Sequence, residues 1–399
     1  MYNLKSNNSG NKNFKFLVSS VWFSHTAFSA YNLIVIWVVL FITKKPLLAG
    51  FSDSLLTLPL MISVLVGAYV DKSKRKKTLA FISSLFRVVL VIIIMISIQF
   101  WPSIDVIITI YAATFLIGFT SDVVDSVRAT WTKAFLGDKH YKKGSSEMSS
   151  VIMASQGVGF IISGILIALG FEASFLIIGL FFALSSVPLI MIKYTAYGTS
   201  KSIHTGVAEA LTLLRKDKRL AEIIAINFVS NFSIGVAAIL YISLMQEGYR
   251  LPAMYVSLIF GVIVLGMVFG SISASKISGK VGRINLLVFI VLGVSFVSIS
   301  LIHSVYVLVL PSFLAGLSIG IESSVLSTLS MRIVPHEMMA RIQGSMNTFG
   351  MAASALSSLI GGLLYQLFGP SYSFLMVGLI IISADFVFLA FRSLYYLQY

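Results

Sequence analysis

The 399-residue chain contains no cysteine. That excludes disulfides, thiol chemistry and zinc–thiolate sites. Charge is scarce as well: Asp, Glu, Lys and Arg make up only 11% of the residues, too little polar surface for a soluble domain of this length. Acids are the scarcest, 15 against 29 Lys and Arg, which leaves a formal net charge of +14. Such an excess can signal nucleic acid. Here the cations sit in short gaps between apolar runs instead of on a folded basic face, so no nucleic-acid partner is expected. A Walker loop, an HExxH zinc motif, a GxSxG nucleophile and paired cysteines are all missing. An enzyme and an ATP-driven pump therefore have little support, no cofactor or metal is expected, and ion or substrate gradients remain as energy sources.

Apolar residues are abundant: 57% of the chain is hydrophobic and the mean hydropathy is +0.95. Runs of about 20 apolar residues can cross a ~30 Å hydrocarbon core as helices, and such runs recur from end to end. Lipid offers no hydrogen-bond partners, so each run must satisfy its backbone internally. The expected spans are 14–41, 47–70, 79–100, 104–130, 148–170, 173–193, 220–245, 252–275, 285–303, 305–331, 342–367 and 371–393. Trp101-Pro102 and Gly369-Pro370 mark tight turns between them. The polar start (MYNLKSNNSGNKNFK) precedes an apolar run too long for a signal-peptide core, so it reads as a retained first helix. The fold class is thus an all-α membrane protein of twelve transmembrane helices. All Lys and Arg fall on one side except Lys44, Lys45, Arg250 and the intramembrane Arg87. Short cytoplasmic loops retain cations, so both termini are expected in the cytoplasm of a multi-pass protein of the cell membrane.

The halves resemble each other at an offset near 198: Phe115–Gly118 (FLIG) matches Phe313–Gly316 (FLAG), and Ser163–Leu166 (SGIL) matches Gly361–Leu364 (GGLL). Six spans separate each pair, so the repeat is parallel, two six-helix pseudo-repeats about an axis along the membrane normal. The expected domains are an N-terminal bundle (1–193), a cytoplasmic linker (194–219) and a C-terminal bundle (220–399). Within the linker, Val207–Leu214 could form a short amphipathic helix on the inner surface. Two similar rigid bundles suit a transporter, because a site between them can open to either side as they rock. A packed helical scaffold without a pathway is the bland alternative.

The densest charge, Lys72, Lys74, Arg75, Lys76 and Lys77, follows Asp71 in GAYVDKSKRKKTL. This stretch resembles the loop-two–three signature of the major facilitator superfamily. Gly67, Asp71, Lys72, Arg75 and Lys76 fall on its positions, while Tyr69 and Lys74 depart from it. Arg87 in LFRVV and the central TGVAEALTLLRKDKRLAEII are similar to the branch holding macrolide exporters and the enterobactin exporter. The resemblance implies a latch of span two against span eleven in the outward-open state, made by Asp71 and Arg75; Gly67 and Arg128 are the further gating candidates. Gly67 would permit close helix approach, and Asp71 would favour a helix N-terminus; a solvated loop acid is the plain reading of Asp71. In span five the run Ser155–Gly164 keeps the glycine spacing of the drug-antiporter signature but has Phe160 where proline is usual. Close helix packing accounts for those small residues equally well.

Ionisable groups inside a bilayer are costly and mark function by default. Asp122, Asp125 and Arg128 fall on one face of span four, and Glu322 lies at a similar level in span ten. Asp122, Asp125 and Glu322 are the proton-coupling candidates, on the resemblance's implication that spans one, four, seven and ten line a cavity. A static Asp125–Arg128 ion pair, which Arg75 could join, is the competing account. Trp22, His25, Ser29 and Asn32 share a stripe on span one, and Asn227 and Asn231 share one on span seven. These are substrate-cavity candidates, with interhelical hydrogen bonding as the alternative. Asp53 and Asp385 could gate or pack, and Arg87 calls for a counter-charge, Asp122 or Asp53. The expected function is proton-coupled efflux of a small organic or amphipathic compound by a monomer. Uptake of a small nutrient, or a non-transporting membrane sensor or scaffold, are the alternatives. Substrate, protons and the lipid bilayer are the expected partners.

Overall fold

A computed structural model of the chain describes residues 6–193, 218–302, 304–333, 339–388, 392–397 and 399; the expected linker helix Val207–Leu214 lies outside them. Among the described residues the fold is all helical, with no strand. The helices are α1 (Ser6–Thr43), α2 (Pro46–Thr57), α3 (Ser63–Lys72), α4 (Lys76–Phe100), α5 (Ser103–Ala168) and α6 (Phe171–Met191), then α7 (Lys218–Ser243), α8 (Ala253–Ala274), α9 (Val281–Leu301), α10 (Val309–Ile333), α11 (Met339–Phe388) and α12 (Arg392–Tyr395). Ten helical stretches among these residues are long and apolar enough to cross a membrane.

Sequence explains where this differs from twelve separate spans. The second expected span is broken into α2, a 3-10 turn at Leu58–Ile62 and α3. Pro59 sits in that turn and has no N–H to continue an α-helical ladder. Expected spans eleven and twelve are merged in the single helix α11. Its apolar stretch Met346–Phe386 has 41 residues and would measure about 60 Å if straight. It is not straight: Gly369 has a left-handed φ of 74° and Pro370 restarts the helix. Expected spans four and five likewise lie in one hydrogen-bonded helix, α5, of 66 residues. A Cβ on Gly144 would meet the side chain of Leu136. In a straight helix eight residues advance about 12 Å, so the axis turns sharply between them.

Helix faces follow the logic of lipid. On α4 the large residues Ile82, Phe86, Val89, Ile93 and Ile96 are exposed, while Ala80, Ser84, Arg87, Val91 and Ile94 are buried. Hydrocarbon is as apolar as isoleucine, so small and polar residues gain most by turning inward.

Two compact units are distinguished, one drawn from Met1–Val38 and Leu58–Lys201, the other from Val39–Thr57 and Ser202–Tyr399. In the first unit a core forms from Phe14, Leu17, Val21, Val66, Val70, Val127, Trp131 and Leu189. There the Tyr31 hydroxyl pairs with Thr114 Oγ1 at 2.7 Å and its ring meets Phe175 edge-on. The second unit repeats this device: Tyr241 pairs with Ser312 Oγ at 2.9 Å and its ring meets Phe374 edge-on. Lys44 after α1 and Arg250 after α7 are the only non-glycine residues with positive φ among those described, at 56° and 55°. Lys44 ends α1 with a left-handed turn, and Arg250 follows the π-helical turn Leu244–Gly248 that extends α7.

Candidate functional site

The first unit carries a buried polar network on α1, α4 and α5. Arg128 is paired with Asp125 one turn earlier on α5 and lies 3.0 Å from His25 Nε2 on α1. His25 Nε2 is also 3.4 Å from Asp125 Oδ1. The ion pair weighed from sequence is therefore formed, and it includes a histidine that sequence had placed with the substrate-cavity group. Arg75 takes no part in it: it is exposed, at the start of α4. Arg87 donates to Ser24 Oγ (3.0 Å), Ser84 Oγ (3.0 Å) and Ser121 Oγ (3.4 Å), and its guanidinium stacks 4.6 Å from the Phe182 ring centroid. Hydroxyls and a π face thus replace the salt-bridging carboxylate that the sequence seemed to require; a guanidinium, weakly hydrated and planar, suits both. Nothing in the spacing of single serines on three helices foretold this.

Asp122, also on α5, does not join the ion pair. It is 3% exposed and accepts a hydrogen bond from Ser63 on α3, while its Oδ2 has no partner among the described residues. Ser29 is buried on α1, and Trp22 is exposed on the same helix. Asn32 is half-buried and bonded. Gly159, in the glycine-rich run, lies against α1: a Cβ there would come 2.5 Å from Thr26 O and 2.9 Å from Ser29 Cβ. Close packing therefore accounts for this glycine.

The second unit places Glu322, from α10, beside Ser230 of α7. Glu322 is 4% exposed and its Oε1 has no partner. Asn227 Nδ2 donates to Met346 O at 2.9 Å, and Asn231 Nδ2 donates to Asn227 O at 2.8 Å. Both amides press on Gly350, where a Cβ would fall 2.9 Å from Asn231 Nδ2. Asn227 thus bonds α7 to α11, and Asn231 bonds back to Asn227 on α7 while packing against Gly350.

In the same unit α2 packs on α11. A Cβ on Gly50 would lie 2.2 Å from Ser358 O, and one on Gly362 would lie 2.4 Å from Pro46 O. Ser54 Oγ donates to Ala355 O at 2.5 Å, and Ser358 donates to the buried carboxylate of Asp53. Asp53, left undecided by sequence, is a hydrogen-bonded acid in a tight helix crossing.

The sequence matches the Major Facilitator Superfamily over residues 17–358. The chain belongs to that superfamily. Membership makes it a membrane transporter of the secondary kind, and not an enzyme. No curated protein matches it. Among solved structures it resembles a POT family transporter in complex with a thioalcohol-conjugated peptide (14% identity, TM-score 0.73, covering 95% of this chain and 96% of that one). A nucleoside transporter, NupG, is similar at 13% identity and TM-score 0.73, covering 95% and 99%. A bacterial homologue of the iron transporter ferroportin, in its inward-facing state, follows at 16% identity and TM-score 0.70, covering 96% and 98%. At these identities the likeness is one of fold.

The superfamily's loop motif is only partly placed. The side chain of Asp71 lies outside the described residues. A Cβ on Gly67 would have Ser126 Oγ at 3.7 Å as its nearest neighbour among the described residues, an ordinary contact. Lys76 and Lys77 have structural partners among the described residues. Lys77 Nζ donates to the α6 terminal carbonyls of Ile190 (2.6 Å) and Ile192 (2.9 Å), and buried Lys76 donates to Ser73 O at 2.9 Å. A cation at a helix C-terminus satisfies carbonyls that have no intrahelical partner.

Proposed function

We propose that this transporter works by alternating access and exports a small organic or amphipathic compound in exchange for protons, from the cell membrane, with both termini cytoplasmic. The observation that carries the coupling is a matched pair of acids. Asp122 and Glu322 are each buried, each lie beside one serine hydroxyl (Ser63 and Ser230), and each keep one carboxylate oxygen without a partner among the described residues. A carboxyl so poorly solvated exchanges its proton when its surroundings gain or lose water. Asp125 is already neutralised by Arg128 and takes the structural role. The gradient drives transport because the chain carries no nucleotide-binding loop. Efflux is favoured by Arg87 in its LFRVV context and by the mid-chain segment, both similar to exporters.

The six-plus-six arrangement is supported by the two Tyr–hydroxyl–Phe devices, one per unit. Twelve spans follow if Pro46–Lys72 is counted as one broken span and α11 as two joined at Gly369. The α2–α11 crossing would then act as a closed gate and part during the cycle.

Proteoliposomes under an imposed pH gradient test this reading, with the parent beside Asp122→Asn and Glu322→Gln. Candidate compounds should move against the protons, and each substitution should flatten the pH dependence of flux. Co-movement with protons would replace export by symport. An unaltered pH profile in both variants would overturn the coupling assignment.

A further inference from the structure

Three polar groups of the first unit converge on one point. Arg128 Nη1 bonds to Asp125 Oδ1 on its own helix α5, and lies 3.0 Å from Nε2 of His25 on α1. That same Nε2 is 3.4 Å from Asp125 Oδ1. The cluster is open on the carboxylate side. The Arg128 side chain is 6% exposed and that of His25 13%, while that of Asp125 is 42% exposed. A carboxylate facing hydrocarbon is costly, so this is the side that water reaches. The other ring nitrogen, His25 Nδ1, is buried without a partner among the described residues.

A guanidinium has no acceptor, so Arg128 can only donate to His25 Nε2. Nε2 then holds a lone pair, the imidazole is neutral, and its proton sits on Nδ1. A proton taken up at Nε2 reverses this, because an imidazolium has two donors and no acceptor. It can no longer accept from Arg128, and Asp125 Oδ1 is the acceptor within reach. The charge of the three groups rises from zero to +1. Arg87 of α4 adds a positive charge nearby, held by Ser24 next to His25 and by Ser121 one turn before Asp125. Asp122 is the other acid on this stretch of α5, and Ser63 of α3 bonds to it. From α6 comes the uncharged ring of Phe182, stacked on Arg87.

We propose that His25 is a proton-binding residue, and that proton uptake at Nε2 lets it take the place of Arg128 on Asp125. While His25 is neutral, Arg128 ties α5 to α1 through one hydrogen bond. Once His25 is protonated, the tie between the two helices is an ion pair of His25 with Asp125, and like charge displaces Arg128. A displaced guanidinium inside a membrane needs water around it. Proton occupancy of His25 and hydration of the cluster therefore rise together. Asp125 keeps its structural role throughout, as the fixed acceptor for which the two cations compete. The site stands apart from Asp122 and Glu322 and does not depend on the direction of transport or on the substrate.

The test uses the purified full chain in lipid nanodiscs and measures no flux, so its failure leaves the assignment of Asp122 and Glu322 untouched. Solid-state NMR follows labelled histidine nitrogens between about pH 5 and pH 9. The chain has five histidines, and His25→Gln assigns the His25 signals by difference. At high pH, Nε2 should be unprotonated and coupled to the Arg128 guanidinium carbon at hydrogen-bond range. Below the midpoint both ring nitrogens should carry protons and that coupling should be lost. Asp125→Asn removes the carboxylate that receives the imidazolium, and should move the midpoint to lower pH by about one unit or more. Arg128→Gln removes the competing cation, and should move it to higher pH by about as much. A ring that keeps one protonation state across the range overturns the proposal. So does a coupling to Arg128 that persists below the midpoint, or a midpoint that both variants leave unchanged. If Asp125→Asn does not fold, the parent spectra together with Arg128→Gln decide.

Discussion

Gly50 lies where α2 crosses α11, and a single methyl group there should pry the crossing apart. The added Cβ of Gly50→Ala would sit 2.2 Å from Ser358 O, whereas ordinary contact begins near 3.4 Å. The obstacle is backbone, so α2 must retreat by roughly 1 Å. Overpacking of this kind costs about 1–3 kcal/mol. The retreat also stretches Ser54–Ala355 and Ser358–Asp53, hydrogen bonds worth roughly 0.5–1.5 kcal/mol when neutral and up to ~3 kcal/mol when one partner is charged. Together about 2–5 kcal/mol opposes the packed crossing, and each 1.4 kcal/mol is a factor of ten in population. The chain has no cysteine of its own, so a thiol at the fully buried Ala49 is a unique reporter. Maleimide should label Ala49→Cys slowly in the parent background and at least tenfold faster with Gly50→Ala. Gly362→Ala, whose Cβ would fall 2.4 Å from Pro46 O, should have the same effect from the opposite helix. Tm measured alongside separates opening of the crossing from global unfolding. If both alanine variants label at the parent's rate with unchanged Tm, the close-packing argument is wrong.

Tyr31→Phe and Tyr241→Phe each remove one buried neutral hydrogen bond and should each lower stability by about 0.5–1.5 kcal/mol in thermal unfolding. A large asymmetry between them would argue against equivalent devices in the two units. Gly67→Ala should be neutral or stabilise α3 by up to ~1 kcal/mol, because alanine is the better helix former and the site has room. Loss of transport by a normally folded Gly67→Ala protein would support the gating role expected of this glycine.

Much of the architecture is legible in the chain because a bilayer imposes one severe requirement. A run of apolar residues such as Val88–Ile98 can satisfy its backbone in lipid only as a helix, so composition alone determines the class. The breaker at Gly369-Pro370 is visible too, since glycine and proline act locally; Pro59 is equally plain, yet the apolar run 47–70 reads as one span through it, and the structure breaks the helix there. Candidate acids are equally plain, because charge in an apolar run is rare. What each acid does is another matter. Asp125 and Asp122 lie one helical turn apart and look alike in sequence. Asp125 has Arg128 one turn on in its own helix, and tertiary packing adds a histidine from α1; Asp122 receives one serine from α3. The tyrosine devices escaped the offset near 198 because Tyr31 and Tyr241 are out of register with it, although Thr114 and Ser312 obey it. Arg87 called for a carboxylate and received three hydroxyls and a ring: Ser84 from its own helix, and Ser24, Ser121 and Phe182 from three other helices. Lipid solvation acts on each residue where it stands, so the chain alone determined which segments are helical and which groups are costly. Compensation of those costs depends on neighbours within a few ångströms, and only the folded chain decided which neighbours they are.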